Sequence, residues 1–224
     1  MSGAPREALR AAAQLALAGL AAAVLLAGTW ALTRERIAEG ERRAQREALQ
    51  IVLPAALHDN DPIADAVTVR APGWLGQPES IVRRARRGDA PVALVLDATA
   101  PDGYSGPIRL LIAVDQGGRV LGVRVTAHAE TPGLGDDIEA GRSDWITRFT
   151  GRALGDPDAA RWRVQREGGE FAQFAGATVT PRAVVAAVRR ALQFVAEHGD
   201  AVRAADAGAT LSFDDAPADP PPAR

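Results

Sequence analysis

From Ala11 to Thr33 the chain carries no charged side chain, and only Gln14 interrupts the apolar run before the closing threonines. About 20 residues rising 1.5 Å each cross the hydrocarbon core of a bilayer, so this segment is long enough to span one. Trp30 falls near one end, where an indole favours the membrane interface. A secretory signal is one alternative, but its apolar region is usually shorter, and no convincing small-x-small cleavage site follows this one. A buried core helix is another, and such a helix rarely stays apolar on every face. The run is therefore read as an uncleaved transmembrane helix, residues 11–33, preceded by a short N-terminus, residues 1–10. Flanking charge leaves its orientation open. Arg6 and Arg10 precede the span, whereas Arg34, Arg36, Arg42, Arg43 and Arg46 follow it among Glu35, Glu39, Glu41 and Glu47. A positive-inside count favours a cytoplasmic domain, yet long domains translocate largely regardless of that count.

Beyond the anchor, a chain of 224 residues leaves room for one domain of ordinary size. Residues 34–53 read as a charged stalk helix with acid–base pairs at i,i+4 spacing, ended by Pro54. A net charge of -2 argues against attraction to nucleic acid. The absence of cysteine removes Fe–S clusters, thiolate zinc sites, thiol nucleophiles and disulfides, and suits an oxidising compartment. His58, His128 and His198 lie far apart without metal-ligand spacing, so no metal site is expected.

The domain is expected over residues 54–203. The stretch from His58 to Gly88 is rich in turn residues and reads as short irregular elements, its Arg83-to-Arg87 run being a solvated face or a docking patch. Val92–Asp97 reads as a strand. Ile108, Leu110, Ile112 and Val114 alternate, Asp115 to Gly118 turn, and Arg119–Thr126 return as a hairpin. Asp144–Phe149 reads as a short helix and Arg161–Gln165 as a further strand. A final helix is expected to start with Thr180 as N-cap and Pro181 at its first position. Its apolar stripe is Val184, Val188, Leu192 and Val195, and His198-Gly199 suits its end. Residues 204–224, closing in Pro220-Pro221-Pro222, read as a disordered tail. The sum is an α+β fold, an antiparallel sheet with helices packed on it.

Two loops have the composition of a ligand site. Glu130-Thr131-Pro132-Gly133-Leu134-Gly135 leaves a strand, and its glycines let backbone amides approach a planar ring or a phosphate. It is equally the composition of an ordinary strand-to-helix connection. Phe174-Ala175-Gly176-Ala177-Thr178-Val179-Thr180-Pro181 precedes the last helix, with small residues leaving the Thr178 hydroxyl unshielded beside the positive end of a helix dipole. Taken alone, Gly-Ala-Thr is too short to separate an anion site from a simple turn.

Gly103-Tyr104-Ser105-Gly106, the Glu130–Gly135 loop, Ser143-Asp144-Trp145-Ile146 and the Phe174–Pro181 loop follow one another in an order and spacing that resembles a known family. That family is the G subunit of the Rnf (or Rsx) ion-translocating oxidoreductase complex, related to the C subunit of the sodium-translocating NADH:quinone reductase. The resemblance implies an FMN-binding domain with FMN held covalently through a phosphoester on Thr178. Gly176, Ala177 and Thr180 would flank the attachment, and Glu130, Thr131, Pro132, Gly133, Leu134 and Gly135 would line the flavin. It further implies a separate flavin transferase using FAD as donor. The other Rnf subunits would be partners, and the single inner-membrane span would place the domain on the periplasmic side. No residue is assigned as catalytic, since the protein would pass electrons between other redox centres in ferredoxin- and NAD-linked ion movement. The sequence departs from the family motif at Ala172 and Ala175, where an aspartate and a serine or threonine are usual. Relatives often place a lysine where Asp137 stands, which makes Arg142 the candidate cation near the flavin. The other readings are the C subunit of the quinone reductase, another FMN-domain periplasmic electron carrier, and a membrane-tethered interaction domain without redox function.

Overall fold

The computed structural model describes residues 4–217. The chain divides into two units, residues 1–47 and 48–224. The first helix, α1, spans Ala4–Val52. Within it Gln14–Arg34 is long and apolar enough to cross a membrane. Leu15, Leu25, Leu26 and Trp30 are exposed there, with no core of their own to cover them. Thr29 and Thr33 return their hydroxyls to the carbonyls of Leu25 and Thr29, which keeps both polar groups satisfied inside the helix. The i,i+4 pairs expected along residues 34–49 lie largely outside the described side chains.

The second unit begins earlier than residue 54. Leu49, Val52 and Leu53 are buried, and they pack on Ala85, Ala93, Val95, Leu111 and Ala113 of the sheet. The sheet is built from β1 (Ala66–Arg70), β2 (Ser80–Arg87), β3 (Ala90–Ala100), β4 (Ile108–Asp115), β5 (Val120–Ala127) and β6 (Thr210–Ser212). Their order is β5-β4-β3-β2-β1-β6. The first five pair antiparallel as expected, and β6 adds to β1 in parallel. Gly122 of β5 is required by the close approach of the helix end, because a Cβ there would meet the Val52 Cα at 2.9 Å.

The opposite face carries Val82, Leu94, Leu96, Ile108, Leu110, Ile112 and Val114, buried against a long C-terminal helix, Val179–Ala204. Between β1 and β2 lies a short helix, α2 (Pro72–Leu75), so the long helix is α3. The apolar stripe expected in α3 is the buried one: Val184, Val188, Leu192 and Val195. The helix runs past Gly199 to Ala204, so His198-Gly199 is not its end. His198 stays inside because Trp74, Phe194 and Phe213 surround its ring.

The stretch from His58 to Gly88 departs from expectation. It forms β1, α2 and β2, with the arginine run on the last strand. The run is neither a solvated face nor a docking patch. Arg84 is 2% exposed, pairs with Asp65, and donates to the carbonyls of Val202, Arg203 and Ala205. Arg86 pairs with Asp65 at 2.7 Å and donates to the Arg203 carbonyl at 3.1 Å, while Arg83 pairs with Asp97 on the other face. Two guanidinium groups thus close the C-terminal end of α3, where cations oppose the negative end of the dipole.

Two further expectations fail. Arg161–Gln165 is not a strand: the segment holds 3₁₀ turns at Ala159–Arg161 and Gln165–Glu167 with one bridge, Val164 to Phe171. The part of the C-terminal tail up to residue 217 is structured rather than disordered. It supplies β6, and Asp215 accepts from Trp74 Nε1 at 3.1 Å and meets His198 Nε2 at 3.1 Å. Pro220 to Pro222 lie outside the described residues.

Candidate functional site

The four motifs come together at the N-terminal end of α3. Glu130, 4% exposed, is the common point. Its Oε1 accepts the Ser105 backbone N–H at 3.0 Å, and its Oε2 accepts the Thr180 hydroxyl. One carboxylate therefore ties the Tyr104 loop, the Glu130–Gly135 loop and the first turn of α3. Gly135 makes this possible, since a Cβ at that position would stand 2.9 Å from Glu130 Oε2 and 3.0 Å from Thr180 Oγ1.

Each loop is also braced from behind. Thr131 O accepts from the Leu134 and Gly135 amides, and Asp136 Oδ1 accepts from the Gly133 N–H at 2.7 Å. Asp136 Oδ2 meets Arg142 Nε at 3.2 Å, an ion pair without hydrogen-bond alignment. Trp145, from the 3₁₀ helix Trp145–Phe149, donates its indole N–H to the Ala172 carbonyl at 2.7 Å and packs edge-on against Phe174. The chain then turns tightly through Phe174-Ala175-Gly176-Ala177, closed by the Ala177 N–H on the Phe174 carbonyl at 3.2 Å. Gly176 has φ +79°, a conformation that L side chains rarely adopt, which is why a glycine stands before Ala177. Across the gap, Leu134 Cδ2 lies 3.5 Å from where a Gly176 Cβ would sit, so the two loops face each other. His128 stands behind: its Nδ1 accepts the Glu130 N–H, which leaves Nε2–H to donate to Glu139 at 2.7 Å.

Thr180 is not the N-cap, and Pro181 is not the first helical residue. Thr178 is the N-cap, α3 starts at Val179, and Thr180 is fully buried because its hydroxyl belongs to Glu130. Thr178 itself is half-buried and makes no capping hydrogen bond through its side chain. The amides of Val179 and Thr180 have no acceptor within the helix. Three of the domain's exposed large apolar side chains belong to these same loops: Tyr104 at 72%, Leu134 at 46% and Val179 at 37%. In the sequence Tyr104 and Val179 stand out only as parts of motifs, with no role of their own. Tyr104 carries one signal that could have marked it, as the sole tyrosine of the chain and bracketed by glycines.

This donor set fits FMN. A phosphate suits the open helix end at Thr178, and a flat, largely apolar ring suits the rim of Tyr104, Leu134 and Val179. Residues 103–193 match the family described as FMN-binding domain, which gives the class: an FMN-binding domain protein. Residues 1–52 match the RnfG N-terminal region. The G subunit of the ion-translocating oxidoreductase complex of Pseudomonas aeruginosa is 48% identical over 84% of this chain and 89% of its own length. The protein of the same name from Escherichia coli is 50% identical over 79% and 85%, and that from Cronobacter sakazakii 52% over 72% and 77%. The chain belongs to the family of ion-translocating oxidoreductase complex G subunits. Of the readings left open by sequence, this family membership selects the Rnf protein over its relative in the quinone reductase.

Proposed function

We propose that this protein carries FMN covalently on Thr178 and passes electrons within an Rnf-type membrane complex that couples oxidoreduction to ion movement. The observation that carries the reading is the uncapped, half-buried Thr178 hydroxyl at an open helix end, beside the apolar rim formed by Tyr104, Leu134 and Val179.

Bound there, FMN supplies chemistry that accepts one electron or two. The protein's own residues hold and orient. The Val179 and Thr180 amides and the α3 dipole favour a phosphate on Thr178. Gly176 and Ala177 keep side-chain bulk away from the approach to the Thr178 hydroxyl, and the Thr131–Gly135 turn presents Leu134 toward the same space. Glu130 fixes the loops relative to one another through Ser105 and Thr180. Attachment requires a flavin transferase and FAD. Thr178 Oγ would be the atom that takes the phosphorus of the FMN half of that FAD, with AMP as the leaving group and the hydroxyl proton released. A phosphoester retains the cofactor outside the cytoplasm, where a dissociated flavin would be diluted away. The N-terminal helix would hold the domain at the periplasmic side of the inner membrane, close to membrane-embedded partners.

The test is in-gel flavin fluorescence after denaturation of protein co-expressed with the matching transferase. The wild type is expected to fluoresce and Thr178→Val is expected to be dark. An unlabelled wild-type band, or a label that survives Thr178→Val, removes the attachment reading.

A further inference from the structure

We propose that Arg182 neutralises the phosphate carried at Thr178 and that Glu167 orients Arg182 for that task; the inference rests on the attachment reading above. Arg182 is one helical turn beyond Thr178, and its N–H donates to the Thr178 carbonyl at 3.3 Å, the first turn of α3. Residues four apart share a helix face with Cβ atoms roughly 6 Å apart, well within the reach of an arginine side chain. A phosphodiester keeps one negative charge at neutral pH, so a facing cation is what its environment needs.

Two other charged groups at the site, Glu130 and Arg142, are committed elsewhere. Glu130 is engaged by Ser105 and Thr180. Arg142, the cation expected from the sequence, is held against Asp136 at the far side of the Leu134 turn. On the first turn of α3 there is no acidic residue, and Arg182 is its cation.

The geometry of Arg182 is that of a prepared group. Its Nε and Nη2 both meet Glu167 Oε1, each at 2.5 Å, which fixes the plane of the guanidinium. Among the described residues Nη1 has no partner, and the side chain is 50% exposed. Glu167 is itself anchored. It sits in the turn Gln165–Glu167, where the Gln165 N–H donates to the Phe171 carbonyl at 2.8 Å and the Arg166 N–H to Gln173 Oε1 at 3.1 Å. The turn that holds the arginine is thus tied to the segment that leads into Thr178. An exposed ion pair adds little to stability, so the consequence of this one is placement of a charge.

The experiment uses full-length protein co-expressed with the transferase and purified in detergent. It reads the initial rate of flavin attachment, the ³¹P resonance of the phosphodiester, and the melting temperature of the apoprotein. Arg182→Gln is expected to slow attachment roughly threefold to tenfold, the scale of one charge-assisted hydrogen bond at a half-exposed site. It is also expected to move the ³¹P resonance while shifting the apoprotein melt by less than about 3 °C. Arg182→Lys should recover part of the rate, and Glu167→Ala should act in the same direction as Arg182→Gln but less strongly. An unchanged rate and resonance in Arg182→Gln overturns the role of Arg182. Faster attachment in Glu167→Ala overturns the orienting role of Glu167. A wild type that takes no label defeats the attachment reading itself, and so is distinct from both.

Discussion

The two ends of α3 are finished in opposite ways. At the C-terminal end, Arg84 and Arg86 donate to the terminal carbonyls, and Asp65 holds both guanidinium groups from the other side. At the N-terminal end, the N-cap residue Thr178 makes no capping bond, small residues precede it, and apolar side chains stand exposed around it. A cap at that position is commonly worth about 1 kcal/mol, and this fold forgoes it. The difference separates structure from function along one helix. The end that the chain satisfies by itself holds the sheet and helix together, and the end left open is the one proposed to take a phosphate.

That contrast can be broken by substitution. The largest effect is expected at the closed end, where Arg84→Ala leaves the Val202 and Ala205 carbonyls without their guanidinium donor and leaves Asp65 and the Arg203 carbonyl to Arg86 alone. Removing one partner of a buried pair costs about 3–5 kcal/mol, read as a lower melting temperature of the apoprotein. The flavin yield per folded molecule should be unchanged; a drop in yield would show that the two ends are not independent. Glu130→Ala comes next. It orphans the Thr180 hydroxyl and the Ser105 N–H, at a cost of about 1–3 kcal/mol, and it should also lower the yield of covalent flavin because two loops and the first turn of α3 lose their common tie. Stability loss with full yield would make Glu130 purely structural.

Acid sharpens the comparison further. Burial pushes the Asp65 carboxyl up, but hydrogen bonds and charge from Arg86 and Arg84 outweigh it and hold the group below its ordinary value. A carboxylate depressed in the folded state stabilises fully above its unfolded pKa of about 3.9, and that stability is lost as pH falls through the folded value. The melting-temperature gap between wild type and Asp65→Asn should therefore be constant near neutrality and narrow below about pH 4. A gap that does not narrow would separate Asp65 from the closed end. The smallest effect is expected at the open end: Thr178→Val should change apoprotein stability by no more than about 0.5 kcal/mol, because no capping bond is lost. A loss near 1 kcal/mol in a melt would reveal a cap after all.

Periodic features were legible in the sequence because they repeat locally. The β4–β5 hairpin, the apolar stripe of α3 and the short helical turn at Trp145 all follow from side-chain spacing and turn residues. Long-range satisfaction was not legible. Arg84 read as solvent-facing because its partners, Asp65 and the carbonyls around residue 203, lie 19 and about 119 positions away. Thr180 read as an N-cap because Ser/Thr before proline usually is one, and only the fold brings Glu130, 50 positions earlier, to take its hydroxyl. The tail read as disordered because its composition is poor in core residues, yet β1 offered a free edge that three residues could pair with.

The sequence by itself determined the apolar span, the α+β layering and the place of the two glycine-containing loops along the chain. Each of these is carried by residues near one another in the chain. The tertiary structure decided which threonine is free. Thr178 and Thr180 stand two residues apart in similar surroundings, and a hydroxyl is available for modification only if nothing buried has claimed it. Glu130 claims Thr180, since a buried carboxylate must find its donors, and Thr178 is left at the open end of the helix.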